Sequence, residues 1–125
     1  MSHWGDYWTG HFDLKASENS KEPRRAVGRT KNGIALEDGT WNETLAYIVQ
    51  SLQLSEDETV LELCCGNGEV IGKLASWCAS AYGIDISQQM IVELKKLYGK
   101  TVTCEVCDVL SYNREKESLD VIIIY

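Results

Sequence analysis

From Thr59 onward the chain alternates short apolar runs with segments of helical period, and this alternation restricts its fold more than any other feature. Thr59 to Leu63, Ala81 to Ile84, Thr101 to Cys107 and Leu119 to Ile124 read as four strands. A glycine turn after the first strand leads into a helical segment with Ile71, Leu74 and Ala75 inward. After the second strand, Ser87 can cap a helix that carries Ile91, Leu94 and Leu97 and stops at Gly99. Strands separated by helices make a parallel sheet with helices on its faces. Right-handed crossovers then bring the carboxyl ends of all the strands to one edge. Ligands of open α/β sheets bind outside that edge, near the point where strand order reverses.

The upstream region reads differently. Trp4, Tyr7, Trp8, His11 and Phe12 recur at helical spacing, so residues 3–13 are expected to form an amphipathic helix. Its rings either pack on the body or form a lid over a ligand. Residues 15–40 read as irregular, with the one proline, Pro23, and Gly28, Gly33 and Gly39 among many charges. Thr40-Trp41-Asn42-Glu43 has the pattern of a capping box, and Trp41, Leu45, Ile48 and Leu52 follow on one helical face. The expected organisation is a lid or packing segment over 1–40 ahead of a ligand-binding body over 41–125.

Charge narrows the ligand. The 125 residues suffice for one domain with a real core, and they carry a formal net charge of −7. Residues 1–40 are balanced, with six basic and six acidic side chains; residues 41–125 hold six basic and thirteen acidic, hence the whole −7. Binding phosphates needs a basic face, so no nucleic-acid partner is expected, and a cationic or neutral small molecule fits better. The start, Met1 to Asp6, has no apolar signal core, and the longest apolar run, Val121 to Ile124, is far too short to span a membrane. A cytoplasmic protein with no membrane partner is therefore expected, its five cysteines reduced.

Two features invite metal or acid–base chemistry. Cys104 and Cys107 have metal-ligand spacing, but no second pair accompanies them, and on a regular strand they face opposite sides. Core packing is the favoured role, and no metal is expected. His3 and His11 are the two histidines. Either can serve as a base on an acceptor hydroxyl, though surface or packing roles fit them better.

The decisive stretch is Val60-Leu61-Glu62-Leu63-Cys64-Cys65-Gly66-Asn67-Gly68. Glycine at 66 and 68 lets backbone approach a ligand closely, and the next helix offers free amides suited to a carboxylate. A dinucleotide fingerprint would need glycine at 64 and 69, where the chain has Cys64 and Glu69, and Glu69 would set a carboxylate beside a pyrophosphate. Asp85 ends the second strand, 23 residues after Glu62, where a carboxylate can accept both hydroxyls of a ribose, or join Ser87 in capping the next helix. Asp108 follows the third strand, as a ligand or as a turn residue.

This stretch resembles motif I of class I S-adenosylmethionine (SAM) dependent methyltransferases, an acidic residue followed by a glycine-rich turn, and the likeness covers roughly residues 40–125. It implies a donor site of Glu62, Cys64, Gly66, Asn67, Gly68, Asp85, Ile86, Asp108 and Val109. Glu62 would lie near the ammonium and sulfonium of SAM. Asp108 would bond the adenine amino group, and the Val109 amide would contact the ring. The implied activity is methyl transfer to a small-molecule acceptor, with Tyr125 a lesser acceptor contact; the alternative is a non-catalytic binding module of the same fold. Val27 to Gly33 also looks like an upstream loop of some bacterial small-molecule methyltransferases, which makes Arg29 a contact for an acidic group. Cys64 stands where the family has glycine. The implied architecture is an α/β, Rossmann-like class I methyltransferase fold, truncated after the fourth parallel strand, with helices on both faces. The fourth strand would flank the first as an exposed edge, open to pairing with a second copy.

Overall fold

A computed structural model of the chain describes residues 3–115 and 118–125. Its centre is a parallel sheet of β3 (Thr59–Leu63), β4 (Ser80–Asp85), β5 (Val102–Val106) and β6 (Val121–Ile123), in the order β5-β4-β3-β6. The expected alternation is present, and β3 is the central strand from which chain order reverses. Register is continuous across the sheet: Glu62 lies opposite Gly83 and Ile123, and Ile84 opposite Leu63 and Glu105.

Strand side chains alternate between the two faces. On one face Val60, Ala81, Val102 and Ile123 form a single core with Trp41, Leu45 and Ile48 of α3 (Asp38–Leu52), Ile71 and Leu74 of α4 (Ile71–Leu74), and Ile91 and Leu94 of α5 (Gln88–Tyr98). On the other face Ile122 is 57% exposed, and the Arg114 guanidinium lies 4.1 Å from the centre of the Tyr82 ring. Of the two helix layers expected, the described residues supply the one over the first face. The crossovers β3–α4–β4 and β4–α5–β5 advance in the same direction, and right-handed connections of that kind place their helices on the same side.

The N-terminal forty residues are more regular than their composition suggests. Helix α1 (His3–Glu18) runs five residues beyond the expected 3–13, because Leu14 to Ser17 contains no breaker and Ala16 is buried against its surroundings. Helix α2 (Pro23–Ala26) opens on Pro23, whose fixed φ suits a first turn. Strands β1 (Thr30–Lys31) and β2 (Ile34–Ala35) then form a small antiparallel hairpin. Its turn is Asn32-Gly33, with φ of 52° and 76°, the left-handed pair that a tight hairpin turn requires. Together α1 and α2 pack on α5 through Ala16, Ala26 and Met90, flanked by Phe12 and Val27.

Two expectations about helix ends are corrected. The Thr40 capping box does not form: α3 begins at Asp38, the Trp41 amide donates to the Glu37 carbonyl at 3.0 Å, and no side chain caps the start. The helix starts early, so Thr40 lies inside it, and Asp38 at its first position pairs with Arg24. Leu97 is 49% exposed rather than inward; Tyr98 takes the inner position, its ring so close to Gly72 that a Cβ there would lie 2.4 Å from it.

Candidate functional site

The chain leaves β3 through a strained turn. Cys64 has φ of 54°, and Gly66 and Gly68 follow at 56° and 85°. At Gly66 the requirement is double, because a Cβ would also lie 2.8 Å from Val27 Cγ1. The turn is locked to the neighbouring strand by the Cys65 amide, which donates to the Ile84 carbonyl at 2.9 Å, and by the Gly66 amide, which donates to Asp85 Oδ2 at 2.8 Å. Asp85 Oδ1 accepts from the Ser87 amide at 2.9 Å. The capping alternative for Asp85 is thus realised, yet a carboxylate offers about four lone-pair sites, so capacity remains for a ligand.

Glu62 is buried at the end of β3 and accepts from the Ile71 amide at 3.2 Å. The Gly72 amide donates to the Gly68 carbonyl at 2.8 Å. The start of α4 therefore spends these amides within the chain, against the expectation that they are free for a carboxylate. Burial pushes the Glu62 carboxyl up to about 8, partly offset by the Ile71 bond and the Arg29 charge. Burial also raises Asp85, against the amides of Ser87 and Gly66, and raises Glu69.

These groups surround one cavity of about 370 Å³, a size suited to a cofactor-sized ligand. Of the sequence-predicted residues, Glu62, Cys64, Gly66, Asp85, Ile86, Asp108 and Val109 line it, as do Arg29 and Tyr125. Asn67 and Gly68 do not. Asn67 is buried and donates from Nδ2 to the Pro23 carbonyl at 2.8 Å, tying the turn to α2. Gly68 faces α5, where a Cβ would lie 2.9 Å from Leu94 Cγ. Both shape the turn from behind. Asp108 Oδ1 accepts from the Leu110 amide at 2.9 Å, the turn role foreseen for it, while the residue still lines the cavity.

Arg29 is the one basic side chain on the wall among the described residues. Its guanidinium lies 4.5 Å from the Tyr125 ring centre and 5.6 Å from that of Trp41, and Nη2 donates to the Tyr125 carbonyl at 3.1 Å. Its Nε is buried without a partner among the described residues. Phe12, one of the rings offered above as a lid, lines the wall, and sequence reasoning missed Val27, Glu69, Met90 and Cys107 there. It missed Asp13 as well, whose Oδ1 accepts from Ser87 Oγ at 2.5 Å and from the Gln89 amide at 3.1 Å. Nothing in the local pattern marks an acid on a separate helix as the partner of a cap 74 residues away.

Cys104 packs against the core as expected, whereas Cys107, one residue beyond β5, lines the cavity instead. Among the described residues no group of three or more His, Cys, Asp or Glu is placed to hold a metal ion, and no helix is long and apolar enough to cross a membrane. The His3 side chain, considered above as a base, lies outside the described residues, as do Met1 and Ser2.

Residues 60–125, from the middle of β3 through the strand-end carboxylates to Tyr125, match the family model described as a methyltransferase domain. The chain belongs to the methyltransferase-domain family. No curated protein matches it. Among solved structures, it superposes on phosphoethanolamine N-methyltransferase 1 of Haemonchus contortus, in complex with phosphoethanolamine and S-adenosylhomocysteine, with a TM-score of 0.72 at 14% identity over 99% of this chain and 26% of that one. Magnesium protoporphyrin IX methyltransferase of Synechocystis, with bound SAM, gives a TM-score of 0.68 at 19% identity over 99% of this chain and 62% of that one. A dimethyladenosine transferase from Plasmodium falciparum gives 0.58 at 28% identity over 66% of this chain and 31% of that one. This methyltransferase domain thus shares its fold with enzymes of which it spans less than two thirds.

Proposed function

We propose that the domain binds SAM in the 370 Å³ cavity and presents it for methyl transfer to a small-molecule acceptor. The observation that carries this is the placement of Glu62, Asp85 and Asp108 at or just beyond the carboxyl ends of three adjacent parallel strands, all on the wall of one cavity behind a glycine turn. The residues fit the cofactor. Glu62 sits in low dielectric, where a carboxylate attracts a cationic ammonium or sulfonium strongly. Asp85 retains lone pairs for a ribose diol, and Asp108 Oδ2 has no partner among the described residues. The buried, unpartnered Nε of Arg29 supplies a donor for an acidic group.

When bound, SAM supplies an activated methyl group on a sulfonium leaving group. The chain's own work is then to hold donor and acceptor in line and exclude water. A small-molecule acceptor is favoured because the two structures aligned over 99% of this chain act on phosphoethanolamine and magnesium protoporphyrin IX, and because the acidic body opposes a polyanion. Tyr125, on the cavity wall beside Arg29, is proposed as an acceptor contact. A second copy of the chain is proposed as a partner through β6.

Calorimetric titration with SAM tests the donor site. Asp85→Asn is the informative variant, since it keeps one amide acceptor for the turn while removing the charge; Asp108→Ala removes the remote contact. Saturable binding by the parent, weakened in both variants with the fold retained, is expected. A folded parent that takes up no SAM would overturn the proposal. Binding without turnover on any acceptor would favour a non-catalytic SAM-binding module.

A further inference from the structure

Helix α1 is anchored through Ala16 in its second half, while Tyr7 and Trp8, towards its start, are 54% and 45% exposed. The rings are nevertheless ordered by one another. Trp8 stacks on Phe12 with ring centres 5.7 Å apart and planes at 24°, and Tyr7 lies parallel to His11 at 6.2 Å and 16°. The two rows meet edge to face, Trp8 to His11 at 5.6 Å and His11 to Phe12 at 5.2 Å. Phe12 is also cavity wall. A surface of ring faces therefore runs without a break from the inside of the cavity to solvent. Large ring faces left to water beside a cavity mark a binding surface.

We propose that Phe12 and Trp8 form the acceptor wall of the site, and that the acceptor is a planar conjugated ring system without negative charge, stacked on these two side chains. The inference rests on the methyltransferase reading for the word acceptor, and on the ring geometry for the rest. Phe12 enters from a helix seated on α5 and α2 rather than built into the sheet, and it faces the same cavity as the strand-end carboxylates. A quaternary ammonium is held best where several rings stand apart and surround it. Here they touch one another at 5.2 to 6.2 Å, which closes such a space and leaves outward faces suited to offset stacking. Asp85, Asp108 and Glu69 against the single guanidinium of Arg29 disfavour an anion.

The test uses 2-naphthol as a planar probe and tetramethylammonium as the cationic rival, each titrated calorimetrically with and without S-adenosylhomocysteine, on the parent, Trp8→Ala and Trp8→Tyr. Saturable 2-naphthol binding is expected, weakened roughly five- to tenfold in Trp8→Ala and largely restored in Trp8→Tyr, because the ring stack is what is removed and returned. Affinity for S-adenosylhomocysteine is expected to be the same in all three. The proposal is overturned by unsaturable 2-naphthol binding, by equal binding to the parent and Trp8→Ala, or by Trp8-dependent binding of tetramethylammonium instead. If S-adenosylhomocysteine fails to bind while 2-naphthol binding still depends on Trp8, the donor-site reading fails and the ring wall stands.

Discussion

Cys64 holds a backbone conformation, φ of 54°, that costs a side-chain-bearing residue about 1–2 kcal/mol. Glycine stands there in the resembled motif, and the reason is visible: the turn needs left-handed geometry at the first position beyond the strand. Part of the gain from glycine is lost to its greater freedom when unfolded. Cys64→Gly is therefore expected to stabilise the fold by about 0.5–1 kcal/mol, read as a higher midpoint in urea at unchanged slope. No gain would mean that the thiol makes packing contacts worth as much as the strain. Glu62 carries a second expectation. Its folded value, about 8, lies above its ordinary 4.5, so its burial costs stability progressively as pH rises between the two. A bound cation favours the ionised form, so SAM affinity should rise with pH towards about 8 in the parent relative to Glu62→Gln, by at most tenfold per pH unit. Identical pH profiles in the two proteins would sink this role. Neither expectation follows from spacing alone: the motif names Glu62, and only burial tells how it titrates.

The elements show where local signals sufficed. Strand β3 occupies Thr59–Leu63 as its apolar run dictates, and α5 starts after Ser87 because the hydroxyl accepts from the Met90 amide at 3.1 Å. The same hydroxyl donates to Asp13, so one buried side chain closes α5 and fastens α1 to it. Ser87→Ala is expected to cost about 1–2 kcal/mol and to loosen α1, seen as faster amide exchange in residues 12–16. A thermal midpoint equal to the parent's would show that Asp13 and the Gln89 amide hold the junction unaided. The Thr40 signal failed for the opposite reason. A capping box is a local pattern, and here the helix already starts at Asp38, two residues ahead of it, where Arg24 reaches in from α2 to pair with Asp38. The β1–β2 hairpin was legible in Asn32-Gly33, a dipeptide that the irregular reading of 15–40 passed over.

At the scale of the whole molecule, β6 pairs with β3 on one side only among the described residues, and Ile122 and Ile124 are 57% and 74% exposed. An apolar edge of this kind pairs readily with another strand. Light scattering across a concentration series is expected to show self-association that Ile122→Lys with Ile124→Lys abolishes. A parent that stays monomeric at every concentration would exclude pairing through this edge.

From Thr59 onward the sequence by itself determined the strand and helix succession, the parallel sheet, and the strand-end positions of Glu62, Asp85 and Asp108. Periodicity and turn chemistry are properties of neighbours along the chain, and right-handed crossovers convert them into topology. Tertiary structure alone decided which of those residues reach the cavity. Asn67 and Gly68 face away because α2 and α5 pack behind the turn, the α4 amides are spent because Glu62 folds back to Ile71, Phe12 and Arg29 reach the wall from segments distant in sequence, and Asp13 comes from α1 to hold the Ser87 cap. Such contacts depend on how layers dock, and docking is fixed by the packing of the whole core rather than by any local pattern.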